Sequence, residues 1–177
     1  MNPSPLIVAD LDEELRRHHR AAFGWALACC RWDRSVAEDV LQTSYLKLVD
    51  GRARFAGDSE FRTFLFGVIR RTASEDRRRR AMRAVASFGF FERGNGVVDA
   101  PGLTPIIRDE TSRELIAALE QLSSRQRDVL HLVFYQELTI AAAAEVLEIS
   151  VGSARAHYER GKANLRRLLG ENGTDAQ

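Results

Sequence analysis

The stretch from Thr139 to Arg167, TIAAAAEVLEISVGSARAHYERGKANLRR, constrains this chain more than any other. Ala141, Ala142, Ala143 and Ala144 favour helix and carry little bulk, so a second helix can pack closely on them. Val146, Leu147 and Ile149 supply apolar contacts at the crossing, and Ser150 is a good N-cap for a helix that begins near Val151. In that second helix Ala154, Leu165 and Leu168 line one side, with Tyr158 and Gly161 near its edge, while Arg155, Arg160, Lys162 and Arg166 reach outward. A small supporting helix, a tight connection and a basic second helix are the sequence form of a helix-turn-helix, whose second helix is offered to a DNA major groove. A charged face is also what a plain helical bundle shows to solvent, so both readings stand for this segment alone. Many such turns carry Gly where this chain has Glu148, and a non-Gly residue at positive φ costs about 1 kcal/mol.

Net charge, formally +1, does not by itself point to nucleic acid. Its distribution does. Arg62, Arg70, Arg71, Arg77, Arg78, Arg79, Arg80 and Arg83 are set against only Glu75 and Asp76. From Ala86 to Ser124 the balance reverses, with Glu92, Asp99, Asp109, Glu110, Glu114 and Glu120 outnumbering Arg93, Arg108 and Arg113. Two basic regions are thus separated by an acidic connector. Cys29 and Cys30 are the only cysteines; adjacent on a helix, they cannot readily bridge, and they read as small core residues in a reducing compartment. No His or Cys spacing suggests a metal site, and no cofactor is expected. No apolar run approaches a membrane span and the N-terminus is not a signal peptide, so a cytoplasmic protein without membrane insertion is expected.

Apolar periodicity predicts an all-α chain. Leu11, Leu15, Ala22, Phe23, Ala26, Leu27 and Cys30 follow helical spacing. Ser35 with Glu38 predicts a capping box and a second helix with Leu41, Tyr45, Leu48 and Val49 on one face. A third helix, starting after Asp58, carries Phe61, Phe64, Leu65, Val68, Ile69 and Thr72 and runs into the arginine cluster. Gly94, Gly96, Pro101, Gly102 and Pro105 punctuate a connector that also holds Phe88, Phe90 and Phe91, aromatics that dock on either a neighbouring domain or a partner. Thr111 with Glu114, and Ser123 with Gln126, predict two further capping boxes, the second opening a helix with Val129, Leu130, Leu132 and Val133.

Two segments carry a resemblance. AEDVLQTSYLKL and FRTFLFGVIRRTASEDRRRR resemble region 2 of the extracytoplasmic-function sigma factors, a group of the sigma-70 family of bacterial RNA polymerase. LEQLSSRQRDVLHLVFYQELTIAAAAEVLEISVGSARAHYERGKANLRRLL is similar to region 4. The resemblance implies two small helical domains joined by a flexible linker: a three- or four-helix region 2 over residues 10–83, a linker over 84–110, a helix-turn-helix region 4 over 111–170 and a tail over 171–177. No further domain is expected after region 4. The chain departs from the common pattern at Thr43, where an acidic residue is frequent, at Arg71, where Asn is frequent, and at Glu148.

What the resemblance implies for function follows residue by residue. Such a protein has no reaction of its own; it lends the polymerase core promoter recognition and helps to open the duplex. Asp39, Gln42 and Tyr45 would dock on the β′ clamp helices, although Tyr45 serves equally well as a core aromatic. The β flap, promoter DNA and an anti-sigma factor are the other partners implied. Phe55, Asp58, Ser59, Glu60 and Phe64 correspond to the element that captures a flipped −10 base, with some of the phenylalanines in the core. Arg70, Arg71, Arg77, Arg78, Arg79 and Arg80 would hold the backbone there. Ser153, Arg155, His157 and Tyr158 lie where −35 base edges are reached, with Arg160 and Lys162 as phosphate contacts. A stand-alone helix-turn-helix regulator is the alternative, but it leaves residues 10–83 without a role. An enzyme is disfavoured, since no carboxylates cluster with metal spacing and no nucleophile is paired with a base.

Overall fold

The computed structural model describes residues 8–88 and 110–172, in two compact units. Among the described residues every regular element is helical. The connector residues Phe90, Phe91, Gly94, Gly96, Pro101, Gly102 and Pro105 lie outside that range.

In the first unit α1 (Val8–Cys29), α2 (Arg34–Val49) and α3 (Phe61–Phe88) pack pairwise on one another. Trp25 of α1 is fully buried, and its indole Nε1 donates to the Phe66 carbonyl at 3.0 Å. The two rings stack with centroids 6.2 Å apart. Burying an aromatic ring while its one polar atom keeps a partner is how a tryptophan stabilises a core without an unsatisfied group. The buried band of α3 is broader than a single stripe, taking in Phe61, Leu65, Phe66, Val68, Ile69, Thr72 and Ala73. Phe66 falls outside the predicted stripe because α3 is covered by two helices at once. Lys47 of α2 adds a polar tie, donating to Thr72 Oγ1 at 3.1 Å and to Glu75 Oε2 at 2.7 Å.

The α1–α2 connection differs from expectation. Arg31 and Trp32 both take positive φ (53° and 65°), reversing the chain so tightly that Asp33 becomes the cap. Its carboxylate accepts from the Val36 amide at 3.0 Å, so α2 starts at Arg34 and Ser35 falls inside the helix. Glu38 is used instead in an ion pair with Arg34 at 2.9 Å, an i,i+4 pairing along the helix. The inward face of α2 is Ala37, Val40, Leu41, Ser44 and Leu48, while Val49, predicted on that face, is 63% exposed. Cys29 and Cys30 are both half-buried, and burial pushes the Cys30 thiol up to about 12.

The second unit holds α4 (Glu110–Glu120), α5 (Ser124–Leu130), α6 (Ile140–Leu147) and α7 (Val151–Asn172). α4 opens at Glu110, which places Thr111 inside the helix rather than at its cap. Ser123 caps α5, accepting from the Gln126 amide. A π turn, His131–Tyr135, then extends α5, and there burial lowers the His131 imidazole to about 4. Gln136, itself buried, lies with Nε2 3.2 Å from His131 Nε2. Ala118, Leu122, Leu130 and Leu168 form a core cluster, with Leu119, Tyr158 and Leu165 packed against it. Gly161 marks a close approach of α7 to α5: a Cβ there would stand 3.0 Å from Leu130 Cδ1 and 3.3 Å from Gln126 Cβ. The absence of a side chain is what lets these helices meet.

Candidate nucleic-acid interface

The turn between α6 and α7 sets the second helix. Thr139 caps α6 by accepting from the Ala142 amide at 3.1 Å, and Ala143, Ala144, Val146 and Leu147 are buried beneath it. Glu148 ends α6 in the left-handed conformation (φ 52°, ψ 47°), the strained residue anticipated from the missing glycine. Ser150 then caps α7, its Oγ accepting from the Ser153 amide at 3.1 Å and donating to Ser153 Oγ at 2.9 Å.

Along α7 the inward positions are Ala154 and Gly161, fully or nearly buried, with Leu168 beyond them. At 100° per residue, Arg155, Lys162 and Arg166 fall on one flank of the helix, and Ser153, Arg160 and Arg167 on the other. The structure separates the six predicted residues. Ser153, Arg155 and Arg160 are exposed; His157, Tyr158 and Lys162 are half-buried. Tyr158 packs against the core cluster, its ring stacked on Phe134 at 5.6 Å and covered by the Lys162 ammonium at 4.8 Å. Lys162 also lies 3.3 Å from Glu159 Oε2. Arg155 and Arg160 therefore project most freely, and Arg167, passed over in the sequence reading, was findable from its spacing of seven from Arg160.

In the first unit, an aromatic knot forms where the connection after α2 meets the start of α3. Phe55 is half-buried, with its ring centroid 5.2 Å from Phe64 and 5.5 Å, edge-on, from Phe61. Phe61 is buried, and His18 of α1 stacks on it at 6.2 Å, a neighbour that no sequence pattern indicated. Asp58 and Glu60 are exposed and Ser59 half-buried; Gly57, at φ 81°, lets the chain turn beside them. The carbonyl of Glu60 accepts the first helical bond from Phe64, so the polar trio sits at the positive end of the α3 dipole. Further along, Arg70 is half-buried and Arg71 exposed, and seven-residue spacing puts Arg70 with Arg77 and Arg71 with Arg78 on shared faces. Arg77, Arg78 and Arg79 are exposed; Arg80 is paired with Asp76 at 2.6 Å.

A third surface lies on α2. Asp39 and Gln42 are exposed, and Leu46 (53%) and Val49 (63%) continue the same stripe at spacings of three and four. Tyr45 is half-buried, its hydroxyl 3.1 Å from His19 Nδ1, and burial pushes it up to about 12. It lines an apolar groove between α1 and α2 together with Phe23, Leu41, Gln42, Leu46 and Val49. Tyr45 is thus both partly core and part of an accessible wall. Leu46 was missed because exposed apolar residues look like core ones in a sequence.

The pattern described as Sigma-70 region 2 matches residues 15–83, and that of Sigma-70 region 4 matches residues 112–165. The chain belongs to the sigma-70 family. Of the residues named for these three surfaces, all but Arg166, Arg167 and Leu168 lie within one of the two matched segments. Among similar proteins, the extracytoplasmic-function RNA polymerase sigma factor SigX of Bacillus subtilis is 29% identical over 140 residues, covering 77% of this chain and 72% of that protein. The RNA polymerase sigma factor CarQ of Myxococcus xanthus is 28% identical over 163 residues, covering 92% of this chain and 91% of its own. In fold, the sigma factor is similar to RpoE of Bartonella quintana, solved with the anti-sigma factor NepR. The TM-score is 0.71 at 22% identity, over 92% of this chain and 98% of that one. It is placed by these matches in the extracytoplasmic-function group. Among the described residues no helix is long and apolar enough to cross a membrane.

Proposed function

We propose that this sigma factor reads promoter DNA in two chemically different ways, as duplex at −35 and as opened strand at −10. The observation that carries this reading is the pairing, in one chain, of an exposed basic recognition helix with an aromatic knot that leads into an arginine-rich helix. At −35, Arg155 reaches base edges from one flank of α7 and Ser153 and His157 from the other, while Arg160 holds phosphate. Tyr158 and Lys162 chiefly support the helix, since the tyrosine ring is already stacked and covered. An arginine placed on guanine discriminates by about 1–3 kcal/mol.

At −10, extruding a base costs a few kcal/mol, and stacking with edge hydrogen bonds offsets it. Phe55 and Phe64, both half-buried, supply ring surface, and Asp58, Ser59 and Glu60 supply polar edges. Arg70, Arg71, Arg77, Arg78 and Arg79 hold the backbone, with Arg80 available only in exchange for Asp76. The α2 stripe with Asp39, Gln42 and Tyr45 docks on the β′ clamp helices, and region 4 on the β flap. Exposed Leu46 and Val49 support a partner on that stripe. An anti-sigma factor is a further partner; RpoE, of similar fold, was solved with one. The protein acts in the cytoplasm, without catalysis of its own.

The test is transcription in vitro with bacterial core polymerase on a library of promoter fragments. Enrichment of starts that share a −35 and a −10 element is expected. If no promoter-dependent initiation appears, or if the free protein binds duplex as tightly as the holoenzyme does, the stand-alone regulator takes its place.

A further inference from the structure

The last carbonyls of a helix have no donor within it, and α6 ends where the helix-turn begins. The Glu148 amide covers the Ala144 and Glu145 carbonyls, and the Ile149 amide adds a bond to Ala144. The Leu147 carbonyl takes its donor from another helix. Arg125 Nη1, in the first turn of α5, lies 2.9 Å from it, on a side chain that is half-buried. A guanidinium there also faces the negative end of the α6 dipole, and the bond is charge-assisted. The next residue is Glu148, which holds a left-handed conformation without the freedom of a glycine. Only Ile149 and Ser150 then separate it from α7. A tether at this point sets the direction in which α7 leaves the turn, and with it the path of Arg155 and Arg160.

We infer that Arg125 is a positioning residue for promoter recognition: by fixing the Leu147 carbonyl to α5 it sets the angle at which α7 meets DNA. It is an arginine of a DNA-binding unit that acts on the protein's own backbone rather than on phosphate. The inference rests on the reading of α7 as the −35 helix.

The experiment uses the full chain with bacterial core polymerase, on a promoter fragment selected by the wild-type holoenzyme from a library randomised at −35. Arg125→Ala is expected to weaken −35-dependent binding about 10- to 100-fold, the scale of one charge-assisted hydrogen bond. The slope of log affinity on log salt should stay at the wild-type value, because no phosphate contact is lost. Glu148→Gly added to Arg125→Ala should restore most of the affinity, since glycine holds the left-handed turn without a tether. Arg125→Lys, which keeps a charged donor, should fall between wild type and alanine, and serves if the alanine variant folds poorly. A salt slope shallower by about one makes Arg125 a phosphate contact and overturns the inference. So does a loss that Glu148→Gly cannot restore, or unchanged binding in both Arg125 variants while Arg155→Ala weakens it. If Arg155→Ala is itself silent, the −35 reading of α7 has failed, and the inference falls with it.

Discussion

The two long basic helices of this sigma factor solve different problems. α3 is buried between two helices through Ala73 and then continues as a solvent-facing arginine row. α7 is buried along a single narrow line, from Ala154 through Gly161 to Leu168, with charge down both flanks over its whole length. A helix that must enter a major groove needs most of its circumference free, so only a narrow line can be spent on its own core. A helix that only has to lean on a backbone can be buried at one end and charged at the other. The aromatic knot sits at the buried end of α3, where its rings pack against one another.

The sharpest way to break this comparison is to collapse one unit. Trp25→Ala removes a fully buried ring and its bond to Phe66, and should destabilise α1–α3 by about 3–5 kcal/mol. Amide exchange is expected to show protection lost in those helices and kept in α5–α7; loss in both would mean that the units fold as one.

Acid should act the other way round. The His131 imidazole is held near 4 by burial, below its unfolded value of about 6.5, so between those values only the unfolded chain takes up the proton. The stability this provides is complete above about pH 6.5 and is lost as pH falls towards 4, amounting to about 3 kcal/mol at full extent. Urea titrations of wild type and His131→Asn across that range should converge at low pH and diverge towards neutral, with the change confined to the second unit.

At the two readers, Arg155→Ala should cost about 1–3 kcal/mol of −35 discrimination and leave strand opening on a premelted template intact. Phe55→Ala should cost about 1–3 kcal/mol in stacking, read as reduced permanganate reactivity at −10 with −35 binding unchanged. Equal effects of both variants at both elements would dissolve the division of labour.

The smallest expected effect is a difference in sign between two helical glycines. A Cβ at Gly67 in α3 meets nothing within 4 Å, so Gly67→Ala should stabilise by about 0.5–1 kcal/mol through helix propensity. Gly161→Ala gains the same propensity but crowds Leu130 and Gln126, and should come out destabilised by about 1 kcal/mol. Thermal melts of the two single variants decide it.

Much of the fold was readable before any coordinates. Caps at Ser123 and Ser150 act across three residues, and the strained Glu148 occupies the turn where a glycine was missed. The α2 cap misled because Asp33, two residues upstream of Ser35, is an equally good acceptor, and only the reversal at Arg31 and Trp32 selects it. Phe55, Phe61 and Phe64 are indistinguishable as letters; Phe61, with His18 of α1 stacked on it, is the one that is buried, while the other two stay half-buried.

The sequence by itself determined the helices, their order, the two basic regions and the family, because periodicity, capping and motif spacing act within a few residues of chain. Tertiary structure alone decided which polar and aromatic groups are already spoken for. Trp25 reaches Phe66 across 41 positions, and Arg125 reaches Leu147 across 22. Tyr158 is stacked by Phe134, while Leu46 and Val49 are left uncovered. A helical period says which residues share a face; what covers that face is set by distant segments, and burial is a property of the pair.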